Sequence, residues 1–527
     1  MKWLQHRRKL DEKGFLIPAL IAVMIAAGIT ATALVTIILN NFFIVGNNVT
    51  SQKAFNIAEA GINYYLWHLS HNGTDYQDGN TGGTQDPSLG YGPYVHNYID
   101  ANAATEGTYT LYVKPTSSNS TLVTVRSIGK VAGSNITRTI QAQIGAASFA
   151  NYAVLSDTAL WFGNTETADG PVQSNQGVRM DGANNDAVTS ANSTYTPPNQ
   201  LGGDGNTHPG VWCSSSVTSP VNCNTRSKAT WQYPVSSVDF NQVSTSLCTM
   251  KKVAFASYSS TSSLAGQSNA CTQTPSTRTN AYLPQRSTTY SSTKGYMIQL
   301  NTNGTYDLYN VNGENDQSTP YTNALSLQLV ASGLSVPSSG VIYAEDNVWV
   351  RTNPTFHGRV NIGAGRLATS NNATITVADD LLYSAKDGSD AIGLVAEADV
   401  DIAPYAPPAS GSFNFEVDAA ALSETGTVQY PGAYKTNTNR CTRGWTNSNQ
   451  TFTFYGSVAT RNTWTWTWLD GGSQCGDAAY DASQGYISGI EHNTTSYDYN
   501  LLYSPPPSFP VTGGYTIASW REVLTHP

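Results

Sequence analysis

The sequence predicts an α+β protein: a long N-terminal membrane-spanning helix packed on an antiparallel sheet, followed by a large β-rich domain built as a β-solenoid. Three observations predict it. Residues 15–39, FLIPALIAVMIAAGITATALVTIIL, are almost wholly apolar, and no charged side chain occurs between Phe15 and Gln52. Residues 106–144 hold three alternating apolar–polar segments separated by turn residues. Beyond Ala150 the chain becomes short apolar pulses broken by Gly, Asn and Asp.

The helix comes first. At ~1.5 Å per residue, residues 15–39 span roughly 37 Å, enough to cross a ~30 Å hydrocarbon layer. The preceding MKWLQHRRKLDEKG carries Lys2, Arg7, Arg8, Lys9 and Lys13 against Asp11 and Glu12. Basic flanks stay cytoplasmic, so the expected topology is a single pass with an inside N-terminus and an exported C-terminal domain. A cleaved signal peptide or a plain signal anchor would share that flank, but the apolar run is long for a signal peptide and continues as helix. Ala54, Ile57, Ala58, Gly61, Ile62, Tyr65 and Leu69 recur mostly at three- and four-residue intervals, so one helix is expected from about 16 to 69. Its second half should lie against a globular core, with Glu59 either at the helix–sheet seam or facing solvent.

Two motifs sharpen this reading. The short basic leader ending Lys13-Gly14, followed by Phe15 and an apolar helix, resembles the class III leader of type IV pilins and pseudopilins. The segment SQKAFNIAEAGINYYLWHL (residues 51–69), with Ala58-Glu59-Ala60-Gly61, resembles PilX-type minor pilins. Together they cover about the first seventy residues. The resemblance implies that a prepilin peptidase cuts after Gly14 and methylates Phe15. It implies other pilin subunits as partners through the helix, and cell-surface or pilus placement after assembly. Most major pilins carry glutamate at the fifth residue after the cut; here that residue is Ala19, behind Pro18. An uncompensated terminal ammonium in a low-dielectric fibre core is costly, which points away from the repeated subunit and towards a tip-type minor pilin. Pro18 falls in the first helical turn, where its missing N–H has no helical partner to lose.

In chain order, 1–14 is a leader and 15–147 a pilin-like module. Residues 71–104 read as loop, and 106–144 as a β-meander over the helix. Residues 148–412 form a β-rich ectodomain with a loop-rich, disulfide-bearing insertion at 193–325 and a small helix near 238–253. Residues 413–527 form a C-terminal β-rich segment. Residues 342–350 and 394–402 share the form apolar-x-A-E-x-x-V-x-apolar, with Tyr343 and Val395 at matching places. Short strands with polar corners suit a solenoid, in which each rung buries its face on the next; a β-sandwich is the alternative. Pro505, Pro506 and Pro507 predict an extended tether over the surface, and the SWRE stretch a docked strand or short helix. WFGNTETADGPVQSN, GVIYAEDNVWV and PPPSFP resemble the large C-terminal region of certain PilX-like proteins, which implies no chemistry.

Composition excludes some functions. The formal charge is −9, and losing a leader with five basic and two acidic residues makes it more negative. That argues against nucleic acid. Cys213, Cys223, Cys248, Cys271, Cys441 and Cys475 all lie beyond the membrane segment. No CxxC occurs and His208 has no second histidine beside it, so disulfides in an oxidising compartment are expected over zinc. Neighbour pairing would close three local loops, though the sequence does not fix the connectivity.

No catalytic residue, cofactor or metal is expected. The pairs Glu345/Asp346, Asp379/Asp380 and Glu397/Asp399 could hold Ca²⁺ or a saccharide, but Asp and Asn also populate turns for backbone reasons, the reading preferred here. His208, His357 and His492 are scattered, and no GxSxG, HExxH or P-loop occurs. Trp464, Trp466 and Trp468 alternate in one expected strand and face one way, as a buried face rather than a sugar-binding strip. The function expected is a non-enzymatic minor type IV pilin at the fibre tip, contributing to assembly and presenting its ectodomain to a surface ligand. The alternatives are a membrane-anchored β-helical polysaccharide-binding or polysaccharide-cleaving protein, and a K-type minor pseudopilin of a secretion system.

Overall fold

The computed structural model describes residues 16–72, 75–100, 103–115, 122–163, 166–214, 228–258, 270–286, 290–315, 321–405, 413–431, 449–470, 480–481, 485–490 and 492–524. The chain divides into two compact units. One takes the residues up to Pro115, Val123–Ile144 and the stretch from Ile517; the other takes Thr116–Leu122 and Gly145–Thr516.

In the first unit, a single helix α1 runs Leu16–His71. Its buried residues are Ala54, Ile57, Ala58, Gly61, Ile62, Tyr65 and Leu69, the same stripe that the spacing predicts. The stripe packs on a five-stranded sheet. Strand β1 (Tyr91–Ile99), β2 (Thr105–Lys114), β3 (Leu122–Val131) and β4 (Thr137–Ser148) follow in sequence order, and Val511–Val523 from the far end of the chain lies beside β4. Pairing of β1 with β2 and of β2 with β3 is antiparallel. Strand β1 falls where the sequence reads as loop. Its apolar Val95 and Ile99 face solvent while His96 turns inward to Asp78, so the usual apolar-in pattern is inverted.

The C-terminal strand is stitched to α1 as well as to β4. Arg138 on β4 pairs with Glu522, donates to Ser51 Oγ at 2.6 Å and lies over the Phe55 ring, whose other neighbour is Trp520. The SWRE stretch is therefore a strand.

The second unit is dominated by parallel sheets, which an antiparallel sandwich would lack. Val154–Ser156, Val172–Ser174, Val188–Ser190 and Trp231–Gln232 stack in that order. Tyr282–Leu283, Val341–Ala344, Arg359–Ala364, Ala391–Ala396, Phe413–Ser423 and Gln450–Thr460 stack in a second series. The series join because Gln450–Thr460 pairs with Val154–Ser156. The chain thus starts mid-sheet, winds to one end, restarts at the other end and winds back to the middle. Between strands of the second series, Asn347–Asn353, Ile375–Val377, Val400–Ile402 and Val428–Gln429 build another parallel sheet. Phe413–Ser423 and Gln450–Thr460 continue the first sheet, so residues on both sides of 412 share one core.

Register explains the composition. One ladder runs Ile342, Ile362, Leu394, Ala421, Val458, Val154, Val172, Val188, and all eight are buried. Two places on, Ala344, Ala364 and Ala396 give way to Ser423, Thr460, Ser156, Ser174 and Ser190. Three of these serine hydroxyls accept the backbone N–H two residues later, Thr158 N at 3.1 Å, Gln176 N at 3.0 Å and Asn192 N at 3.1 Å, and Ser423 accepts from Gly426 N at 3.0 Å. Small hydroxyl residues thus turn the corner at successive rungs. The intervening position, with Tyr343, Gly363 and Val395 in register, faces outward. It is covered by helix α2 (Gln242–Phe255) through Val243, Leu247, Met250 and Ala254, which makes a second core.

The stretch 193–325 is more than loop. Gly295–Asn301 and Thr305–Glu314 form an antiparallel pair, Leu325–Ser335 adds to it, and Gly295–Asn301 runs parallel to Asn347–Asn353. The expected proline tether is also corrected, since Pro505 and Pro506 are buried. Proline has no N–H to satisfy, and the carbonyls of Ser504, Pro505 and Pro507 accept from Arg359 and Asn361 at 2.6, 2.7 and 3.0 Å. Gly340 and Gly393 leave room for the rings.

Truncating the chain before Tyr515 is expected to speed amide exchange along Thr137–Ser148 and leave Val154–Ser156 and its neighbours protected. Unchanged β4 protection would show that this edge needs no fifth strand.

Candidate functional site: the N-terminal helix and its seat

Residues 16–49 of α1 are all exposed, and this is the one described helix long and apolar enough to cross a membrane. Its hydroxyls need no water. Thr30, Thr32 and Thr36 donate to the carbonyls of Ala26, Gly28 and Thr32 at 3.0, 2.6 and 2.8 Å. Intrahelical bonding of this kind suits a hydrocarbon or close-packed surrounding. Pro18 stands in the first turn and costs no hydrogen bond there. Gly14 and Phe15, the expected processing pair, lie outside the described residues.

The second half of α1 sits on the sheet by way of small residues. A side chain at Gly61 would run into Ser127 Oγ and the Tyr109 ring, and one at Gly129 into the backbone of Ala54 and Ala58. Helix and strand glycines therefore meet opposite each other's elements and set a close approach. Ala58 is fully buried, Ala60 half-buried and Glu59 exposed, so Glu59 takes the solvent-facing alternative. Lys53 reaches Glu106 at 3.1 Å on the surface. Replacing Gly129 with Val is expected to destabilise this unit by about 1–3 kcal/mol, the usual cost of overpacking, read as a lower denaturation midpoint.

The far end of α1 is locked by its following loop. Asp75 accepts from Gln77 N at 2.8 Å, Gly79 N at 2.7 Å and His68 at 3.0 Å. Asp78 accepts from Tyr64 at 2.9 Å and contacts His96 at 2.6 Å. Burial pushes the Asp75 carboxyl up, but those N–H donors and His68 outweigh it, so the group sits below its ordinary 3.8. A depressed carboxyl stabilises the fold fully above that value and loses the contribution as pH falls through the lower folded one. As pH falls below about 4 the wild type is expected to lose stability more steeply than Asp75→Asn, in melts read by circular dichroism.

The acidic corners are internally engaged. Glu345 is 1% exposed and meets Lys251 and Tyr282; Asp346 accepts from the backbone of Arg286 and Asn347. Asp379 faces Arg351 at 3.7 Å, Asp380 accepts from Glu416 N, Glu397 from Arg366 N, and Asp399 from Thr427 N. Among the described residues no group of three His, Cys, Asp or Glu could hold a metal ion. His208 stacks on Trp212, His357 meets Asp390 at 2.8 Å, and the carbonyl of His492 accepts from Phe452. The structure does not bring the three histidines into one such group. Trp464 and Trp466 are buried edge to face, and the strand begins only at Thr467.

Cys248 and Cys271 are joined in a disulfide, and Cys213 is disulfide-bonded too. Cys223, Cys441 and Cys475 lie outside the described residues. Sequence reasoning passed over Lys251, Arg366 and Tyr282, which surround Glu345. A lysine on an amphipathic helix ordinarily reads as surface, and nothing local marks this one as buried.

No protein-family model matches the chain, and no curated protein does. Among solved structures, the competence-associated pilin ComZ from Thermus thermophilus aligns with 90% of this chain and 98% of its own, at 14% identity and a TM-score of 0.25. That likeness is too loose to assign fold or role.

Proposed function

We propose that this chain is a membrane-anchored type IV pilin-like protein of the minor, tip-displayed kind. The observation that carries the reading is the division of α1. One continuous helix is apolar and bare over residues 16–49, then buries a regular stripe on an antiparallel sheet from Ala54 to Leu69. A helix so divided serves first as a lipid anchor and then as a strut among the helices of neighbouring subunits. The motif at residues 13–15 and the AEAG stretch support the same family, and Ala19 at the position of the usual glutamate supports the tip over the shaft.

The ectodomain is displayed cargo. From Val341 to Thr460 its strands alternate between two parallel sheets and each pairs with the strand after next, which supports a β-solenoid wound in two series. A body of that size repeated along a thin fibre would clash with its neighbours, which favours the end position. The role is non-enzymatic: lateral helix packing contributes to assembly, and the solenoid surface meets an external ligand.

The mature N-terminus tests this. In a cell with prepilin peptidase, mass spectrometry is expected to find an N-methylated Phe15, and Gly14→Val should leave the precursor uncut and the protein off the fibre. An intact Met1 in the wild type returns the chain to the signal-anchor class.

A further inference from the structure

Among the described residues, the most confined charged pair in the second unit lies beneath α2. Lys251 is 0% exposed and its Nζ touches Oε1 of Glu345, which is 1% exposed. Aromatic groups flank the pair, with Phe255 5.9 Å from Nζ and Tyr282 and Tyr343 in the same buried cluster, and the further charges that act on it are Arg366 on Glu345 and Glu397 on Lys251. Two further groups address the reacting atoms. Tyr282 Oη donates to Glu345 Oε1 at 2.8 Å, and the Cys271 carbonyl accepts from Lys251 Nζ at 3.4 Å. Cys248 and Lys251 stand three apart on α2 and so share a side, and the Cys248–Cys271 disulfide fixes the carbonyl that Nζ addresses.

We propose that Lys251 and Glu345 join as an intramolecular amide, an isopeptide cross-link between α2 and the corner after Val341–Ala344. Burial pulls the Lys251 ammonium down against the pull of Glu345, and pushes the Glu345 carboxyl up against that of Lys251. Both directions favour the neutral amine and neutral acid that condensation requires. Nζ first passes a proton to the Glu345 carboxylate. Its lone pair then forms a C–N bond to Cδ, while the Tyr282 hydroxyl supports the charge that develops on Oε1. The Cδ–Oε2 bond breaks, and that oxygen leaves as water with the carboxyl proton and one amine proton. No oxidant or cofactor is consumed. The product matches the acceptors and donors in place: an ammonium brings three N–H donors to two acceptors, whereas an amide has one N–H for the Cys271 carbonyl and one oxygen for Tyr282.

The cross-link would hold α2 over the sheet on chemistry separate from the disulfide. The test uses the full chain, reduced and then digested. A branched peptide containing Lys251 and Glu345, one water lighter than its two arms together, is expected from the wild type, and Lys251→Arg should release both arms. Recovery of both arms from the wild type at their full masses overturns the proposal, whatever the variant does. Tyr282→Phe is expected to accumulate the unlinked chain early after synthesis.

Discussion

The large unit depends on one seam, where Gln450–Thr460 lies parallel to Val154–Ser156. Each rung of a stacked sheet buries its face only on the next, so a free end leaves apolar side chains and unpaired backbone in water. Here the two series meet in mid-sheet, Val458 on Val154 and Thr460 on Ser156, and the ladders pass through without a break in side-chain type. Close by, Phe149 N donates to the Pro510 carbonyl at 3.1 Å, which holds the two ends of the stretch between them side by side.

That arrangement makes α2 necessary. A chain that winds from the middle to one end must return along the outside before it can wind back. The outward-facing residues of the sheet, from Leu155 to Tyr343, supply the apolar face on which the return helix rests. The buried Lys251–Glu345 pair sits in this second core, in a setting where breaking one partner is costly and where desolvation weakens the case for two full charges.

Much of this was legible locally. The stripe from Ala54 to Leu69 follows from a 3.6-residue period, and the alternating segments β2, β3 and β4 from a period of two. The likeness between residues 342–350 and 394–402 reflects real register, since Ala344, Ala364 and Ala396 stack. What escaped were non-local features. Strand β1 hides because its exposed side carries Val95 and Ile99. The order of stacking depends on partners as far apart as Val154 and Val458, which no window along the chain contains. The triple proline misleads because its burial is decided by Arg359, Asn361 and two glycines on other rungs. At the site, the apolar reach of α1 and its small-residue seat could be read directly, while Lys251 could not.

The close spacing of entry and exit has a consequence for how such a protein could arise. For a small sheet, joining β4 to a neighbouring strand through several hundred residues ought to carry a loop-closure penalty that grows with length. An insert whose own folding brings Ser148 and Pro510 together removes that penalty, with Ser148 Oγ donating to the Pro510 carbonyl at 3.2 Å. Topologically, everything between them is then a hairpin turn. Cargo of any size could be spliced there and exchanged, provided that its two ends emerge side by side.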